Sequence, residues 1–581
     1  MFSHASASLD AEASPPPQRP QHPMITRARG GIVKPNPIYN DYVMKADAEE
    51  FDDEFDDELC LVAAEEPASV DVALNEESWK EAMDAELASI RNNETWELAA
   101  LPSGHKAIGL KWVFKVKKDP AGNVLKHKAR LVAKGYAQRQ GVDFDEVFAP
   151  VARMETVRLL LALAAHCGWQ VHHMDVKSAF LNGDLKEEVY VHQPPGYIVH
   201  GEEDKVLRLH KALYGLHQAP RAWYAKLDAS LASLGFERSP LEHAVFRRTT
   251  GKSTLLVGVY VYDLIITGTD VDDISIFKQQ MHSLFTMSYL GLLSYYLGVE
   301  VKQEAGTITI CQDAYARKIL EAAGMAGCNS CHTPMENRLK MCKGGAGDAV
   351  HVTDYRSIVG SLRYLCNTRP DITHAVGMVS RYMQAPTASH WAAVKQILWY
   401  IRGTIGYGCR YKESSGGEPK LVAFSDSDLA GDVDDRKSTT GVVFFLDSSI
   451  ITWTLQKQAV VALSSCEAEY IAASKAACQA VWLSRLLGEL LGRPPEIVKL
   501  FVDNRSAIEL AKNPVHHERS KHIDLRFHFI RECIEEGKVD IEHVSTDGQL
   551  ADILTKSLGR VKFLEMRLKL GVMEVSSGRQ D

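Results

Sequence analysis

The chain has 581 residues, 45% hydrophobic and 24% charged, values ordinary for a soluble globular protein and long enough for roughly three to five domain-sized units. No stretch reaches the roughly 18 uninterrupted apolar residues of a membrane span, and the start Met1-Phe-Ser-His lacks the pattern of a signal peptide. The net charge of −9 is uneven: residues 1–90 hold 20 acidic against 6 basic residues, and the remainder holds 55 against 60. Eleven Cys at irregular spacing point to a reducing compartment, cytoplasmic or nuclear, rather than a disulfide framework.

In chain order, residues 1–75 read as a disordered linker, Pro-rich from Ser14 and acidic from Asp47 to Glu66, a composition that repels itself and buries little. A helix is predicted from about Asn75, where Glu76, Trp79, Ala82, Met83 and Leu87 recur at helical spacing. Strands are predicted around 112–116 and 126–132, joined by a turn at 119–123. Between Lys106 and Gln140 ten basic residues stand against Asp119 alone, a concentration that can neutralise phosphates or simply form a solvated face. Residues 156–166 read as helix and 172–176 as strand; helix and strand then alternate irregularly to about 335, and 355–403 is mostly helical. The stretch 413–419 reads as a linker. Beyond it a last unit, to about 560, reads strand, strand, helix, strand, helix, strand, helix, an α/β layer pattern.

Acidic residues at the ends of apolar strands are the chemical signal. Asp175 ends one such run in Met174-Asp-Val-Lys-Ser-Ala-Phe-Leu-Asn-Gly, and Asp263 follows a second in Val259-Tyr-Val-Tyr-Asp-Leu-Ile-Ile. In-line phosphoryl transfer is served by two divalent ions about 3.5–4 Å apart, and Mg²⁺ is held by clustered carboxylates together with substrate phosphates. Four more acids stand out in the last unit: Asp426, Glu467, Asp503 and Asp552. Each has a plainer reading alone, since Ser464 and Glu467 have capping-box spacing and Asp503-Asn504 can be a turn or helix cap.

The strings Leu131-Val-Ala-Lys-Gly-Tyr-Ala-Gln, Met174-Asp-Val-Lys-Ser-Ala-Phe-Leu-Asn-Gly, Ala212-Leu-Tyr-Gly-Leu-His-Gln-Ala-Pro-Arg-Ala-Trp and Tyr296-Leu-Gly-Val-Glu resemble the reverse transcriptase of copia-type LTR retrotransposons. The likeness runs in order from about Trp79 to the end of the chain. It implies an α+β protein: a right-hand polymerase with fingers and palm over 76–335, a helical thumb or connection over 336–418, an α/β ribonuclease H-like domain over 419–560, and a C-terminal tail over 561–581. By the resemblance, Asp175 and Asp263 are palm carboxylates and metal ligands, and Phe180 is the gate that excludes a ribose 2′-hydroxyl. Tyr214, Gly215 and Gln218 lie in the nucleotide- and template-contacting segment, Lys128 and Arg130 face the triphosphate, and Leu297-Gly298 is the primer grip.

The family motif Tyr-Val-Asp-Asp is here Tyr260-Val-Tyr262-Asp263, so a neutral phenol replaces a metal-holding carboxylate and polymerisation is expected to be abolished or very weak. Tyr289 and His217 also replace the family's usual Asp and Lys, and the two Asp-to-Tyr departures, Tyr262 and Tyr289, read as unselected drift or sequence error. In the last unit the resemblance makes Asp426, Glu467, Asp503 and Asp552 the complete two-metal set of a ribonuclease H, with Leu429 in place of a Trp. The implied cofactor is Mg²⁺ or Mn²⁺. The implied partners are an RNA template, a DNA primer, RNA–DNA hybrid and dNTPs, with no membrane. Cys328-Asn-Ser-Cys331-His332 lacks the second half of a zinc site, and His517, His522, Asp524 and His528 read as packing or nucleic-acid contacts. The sequence is expected to be either a processed product or a truncated reading frame. The alternative function is a catalytically inactive nucleic-acid-binding relic.

Overall fold

Leu159-Leu-Leu-Ala-Leu-Ala-Ala165 has no polar face, so the helix it forms, Met154–Cys167, must be covered on all sides. The computed structural model, which describes residues 66–118, 123–414, 416–513 and 525–575, shows this helix buried along almost its whole length and ended by Gly168 at φ 69°. On one side Leu160 fills the space that a side chain at Gly258 would need. On the other, Arg158 reaches the carbonyl of Ile451. The chain divides into two units, Met1–Pro67 and Ala68–Asp581, and all the elements below belong to the second.

Gly258 belongs to an antiparallel six-stranded sheet in the order Met287–Leu292, Val171–Val176, Asp263–Gly268, Ser253–Tyr260, Val245–Thr250, Glu237–Arg238. Ahead of it in the chain, the helix Glu77–Asn92 turns Trp79, Met83, Leu87 and Ile90 inward. These residues share a core with Leu110, Trp112 and Leu131 of the hairpin Leu110–Lys118/Val124–Ala133. The predicted turn between those strands falls at residues 119–123, of which 119–122 lie outside the described residues. Within the stretch expected to lack structure, residues 1–65 are also outside them, while Val70–Leu74 is a short helix capped by Ser69.

The mostly helical middle resolves into Val352–Leu365, Thr373–Ser380 and Ala388–Arg402. Then comes a sheet assembled from distant parts of the chain: Tyr295–Tyr296, Val299–Glu304, Thr307–Cys311, Tyr407–Lys412 and Val572–Glu574. Its last strand lies in the expected C-terminal tail, and Arg560–Lys569 of that tail is a helix.

The last sheet runs Ser449–Lys457, Thr439–Leu446, Leu421–Ser427, Val498–Val502, Val539–His543. The first three strands are antiparallel and the last three parallel to one another, and the long helix Ser465–Leu491 packs across them. Ser449–Lys457 is a strand absent from the sequence expectation; Asp447 at φ 52° begins the two-residue turn that folds it back. The stretch 413–419 does not separate two cores. A single buried cluster runs from Ala152 through the helical middle to Val572. Among the described residues no helix is long and apolar enough to cross a membrane.

Candidate active sites

The first candidate site lies at one end of the six-stranded sheet. Asp263 sits directly opposite Asp175 in the antiparallel ladder and opposite Tyr260 on its other side, so Val261 and Tyr262 form the turn between two strands. Val261 holds φ 51°, a conformation a β-branched residue rarely adopts. Two hydrogen bonds pin the turn: Trp223 Nε1 donates to the Val261 carbonyl at 2.6 Å, and Val176 N to that of Tyr262 at 3.0 Å. Asp175 is paired with Lys177, and Asp263 with His173 Nε2 at 2.9 Å. Tyr262 is half-buried beside them and brings no charge.

Facing this turn, the basic hairpin presents Lys128 and Arg130. The Arg130 guanidinium lies 4.6 Å over the Tyr214 ring, which meets Phe180 edge-on at 5.0 Å. Burial, then the charges of Arg130, Lys117 and Lys177, pull the Lys128 ammonium down to about 8, against the opposing pull of Asp175. Gly215 has φ 85° and no room for a side chain, since a Cβ would come within 2.2 Å of the Ala133 carbonyl oxygen. Gln218 is buried, accepting from Gln138 Nε2 at 2.9 Å and donating to the Asp143 carbonyl at 2.8 Å. The Leu297-Gly298 turn is clamped by the Tyr364 hydroxyl, which donates to the Leu297 carbonyl at 2.5 Å.

Tyr289, read from sequence as drift, is half exposed and makes two contacts. Lys278 Nζ lies 4.0 Å from its ring centroid, and its hydroxyl meets His172 Nδ1 at 3.0 Å. Burial, and then Lys278, push His172 down to about 4.

The second candidate site is in the last sheet. Asp426, on the central strand, is fully buried; Asp503 directly follows the neighbouring strand; Asp552 opens the short helix Asp552–Thr555. Here one sequence expectation is corrected. Glu467 is turned back to the helix start, where its carboxylate accepts from Leu463 N at 2.8 Å while Ser464 Oγ accepts from Glu467 N. Glu469 takes its place: single carboxylate oxygens of Asp426, Glu469 and Asp503 lie within 4.8 Å of one another. Among the described residues this is the one group of three or more His, Cys, Asp or Glu side chains able to share an ion. Helical phase alone does not separate the two, because Glu467 and Glu469 are both buried and the helix is apolar on both of their stripes.

The electrostatics of this cluster are those of buried, crowded acids with a single ammonium, that of Lys556, against two of them. Glu469 Oε1 accepts from Ser427 N at 3.2 Å, whereas its Oε2 is buried and receives no hydrogen bond from any described residue. Burial first, then Asp426 and Asp503, push the Glu469 carboxyl far above the usual range. Burial and Asp426 push Asp552 up to about 6, and the same causes raise Asp503. Asp426 is held by the Thr555 hydroxyl and by Lys556 Nζ at 3.2 Å, and Lys556 Nζ also reaches Asp552 at 2.7 Å. Neither Glu469 nor Lys556 was singled out by the sequence. Cys331 Sγ lies against the carbonyls of Thr333 and Gln396; His517, His522 and Asp524 lie outside the described residues, and His528 Nδ1 meets the Tyr470 hydroxyl at 2.9 Å.

An orphaned, buried carboxylate oxygen within an all-oxygen donor set suits a hard divalent cation such as Mg²⁺ or Mn²⁺.

Comparison with known proteins identifies the family. Residues 93–337 match the reverse transcriptase (RNA-dependent DNA polymerase) family. The chain is 39% identical over 558 residues to the retrovirus-related Pol polyprotein from transposon RE1 of Arabidopsis thaliana, covering 95% of this chain and 37% of the relative. It is 41% identical over 492 residues to that from transposon TNT 1-94 of Nicotiana tabacum, covering 83% of this chain and 37% of the relative. A putative transposon Ty5-1 protein of Saccharomyces cerevisiae is 32% identical over 305 residues, 52% of this chain and 98% of the relative. The chain thus spans little more than a third of the length of the Pol polyproteins it matches. It belongs to the Pol polyproteins of copia-type retrotransposons and carries their reverse transcriptase domain.

Proposed function

We propose that the chain is the reverse transcriptase and ribonuclease H portion of such a polyprotein, with a working nuclease beside a disabled polymerase. The observation that carries the nuclease half is the convergence of Asp426, Glu469 and Asp503 on one position, with Asp552 alongside. A divalent ion bound there would activate water for attack on an RNA phosphodiester. The chain's own contribution is to hold these acids in place around the ion: Asp426 through Thr555, Glu469 through Ser427 N, and Asp503 through Thr546. Two-metal chemistry is the expectation for such a site. The substrate would be the RNA strand of an RNA–DNA hybrid.

In the polymerase half, residues 76–335 would be fingers and palm and 336–418 thumb or connection, with the nuclease over 419–560. Lys128 and Arg130 would meet the triphosphate of a dNTP, Phe180 and Tyr214 would line its sugar and base, and Asp175 with Asp263 would hold the metal against an RNA template and DNA primer. Tyr262 supports the reading of a crippled palm, since it stands at the turn where a third acid would complete the set. It equally favours a second reading, an inactive relic that only binds nucleic acid.

The deciding experiment is Mg²⁺-dependent cleavage of a labelled RNA–DNA hybrid, with Asp426→Asn as the blank and template-directed dNTP incorporation alongside. Cleavage without incorporation is the expected result. Neither activity, from a folded protein, would leave binding without catalysis, or a relic, as the better reading.

A further inference from the structure

Resting on the nuclease reading of the last sheet, we infer that Lys556 is a positioning residue whose ammonium occupies the second cation position of that site, so that the protein free of nucleic acid takes up one divalent ion rather than two. Lys556 caps the helix Asp552–Thr555, its backbone N donating to the Asp552 carbonyl at 3.0 Å, and its extended backbone carries the side chain back toward Asp552. From there the side chain reaches inward from a partly exposed stem. Its Nζ lies 2.7 Å from Asp552 Oδ1 and 3.2 Å from Asp426 Oδ1.

The four carboxylates therefore divide into two sets that share Asp426. Asp426, Glu469 and Asp503 converge on a position that no protein cation fills, and there Glu469 Oε2 is buried and unpartnered. Asp426 and Asp552 converge on Lys556. An ion bridging this second pair would need the space the ammonium occupies. Charge points the same way, because the Lys556 ammonium already supplies a positive charge between Asp426 and Asp552. A second ion beside Lys556 would face like charge at close range, a repulsion that a poorly hydrated site screens weakly. Lys556 also ties Asp552 to Asp426 and so holds both side chains in place before substrate arrives.

Mn²⁺ binding to the full chain tests this, followed by the loss of the electron paramagnetic resonance signal of free Mn²⁺. Asp175→Asn should be present throughout so that the first candidate site does not contribute. One ion is expected to bind per chain, absent in Asp426→Asn. Lys556→Met, which keeps the stem and removes the charge, is expected to raise the number to two, and Lys556→Arg to keep it at one. Two ions in the parent chain, or one ion still in a folded Lys556→Met, would overturn the assignment while hybrid cleavage left the nuclease reading standing. The parent count decides the matter even if Lys556→Met fails to fold. No bound ion and no cleavage would overturn both.

Discussion

The guanidinium of Arg158 lies 4.0 Å from the centroid of the Trp453 ring, and this contact joins the helix beneath the six-stranded sheet to a strand of the last sheet. Arg158 Nε donates to the Ile451 carbonyl at 2.8 Å and Nη1 to that of Asn367 at 2.9 Å, so one buried cation ties three parts of the chain together. Burial pulls its pKa down, and the nearby Glu155, Tyr411 and Cys409 act against that pull. Gln479 to Glu155 at 2.8 Å and Ser239 to Glu489 at 2.5 Å cross the same interface.

Arg158→Met is therefore expected to lower the unfolding free energy of the full chain by about 2–4 kcal/mol, combining a lost buried stacking contact with two lost charged hydrogen bonds. Urea unfolding of both proteins measures it. A change below about 0.5 kcal/mol, the scale of ordinary surface substitutions, would show that the contact does not join the two parts.

Glu467 and Glu469 are two residues apart and are expected to behave in opposite ways. Glu469→Gln keeps the volume but removes a ligand charge, and hybrid cleavage should fall at least about 100-fold, the upper end of what even a supporting group around a metal is worth. Glu467→Ala removes a cap; stability should fall by about 1 kcal/mol with cleavage within a few-fold of the parent. The reverse pattern in a cleavage assay would return the catalytic role to Glu467.

How far the sequence could be read depended on whether the deciding interaction was local. Asp175, Asp263, Asp426 and Asp503 follow or end apolar strands, and such runs announce themselves in one short window. The choice of Glu469 over Glu467 depends on helical phase against a sheet some forty residues away, because Glu469 bonds Ser427 N. Lys556 looks like an ordinary surface lysine until Asp426 is brought beside it. The shared core was hidden for the same reason. Val572 pairs with Cys409 across more than 160 residues, a separation invisible to periodicity. Tyr289 likewise meets Lys278 and His172, contacts that no local pattern announces.

Tyr262→Asp restores the missing acid at the turn opposite Asp175 and Tyr260. Template-directed dNTP incorporation in Mg²⁺ is expected to rise from background by at least about 100-fold, since metal-borne charge stabilisation is worth several kcal/mol. Adding Asp263→Asn should remove the gain. Equal incorporation by the parent and Tyr262→Asp would show that the phenol is tolerated and that Asp175 with Asp263 suffices.

The crowded acids of the last sheet also predict how stability responds to pH once metal is chelated. Burial and neighbouring carboxylates raise Glu469, and the same causes raise Asp552 to about 6. The folded protein thus binds these protons more tightly than the unfolded chain does. Their contribution to stability is complete below the ordinary carboxylate range, near 4, and is lost as the pH rises through the raised values. Glu469→Gln carries a permanent neutral group, so in EDTA it should be more stable than the parent at about pH 8 and lose that advantage by about pH 5, as the parent takes up its proton. Saturating Mg²⁺ should invert the order at pH 8, because the ion then rewards the charged carboxylate and not the amide. Urea midpoints of the two proteins at both pH values, with EDTA and with Mg²⁺, give the comparison. A parent that is the more stable at pH 8 in EDTA would mean that Glu469 already has a counter-charge in the metal-free fold, and the position assigned to the ion would have to be filled by the protein itself.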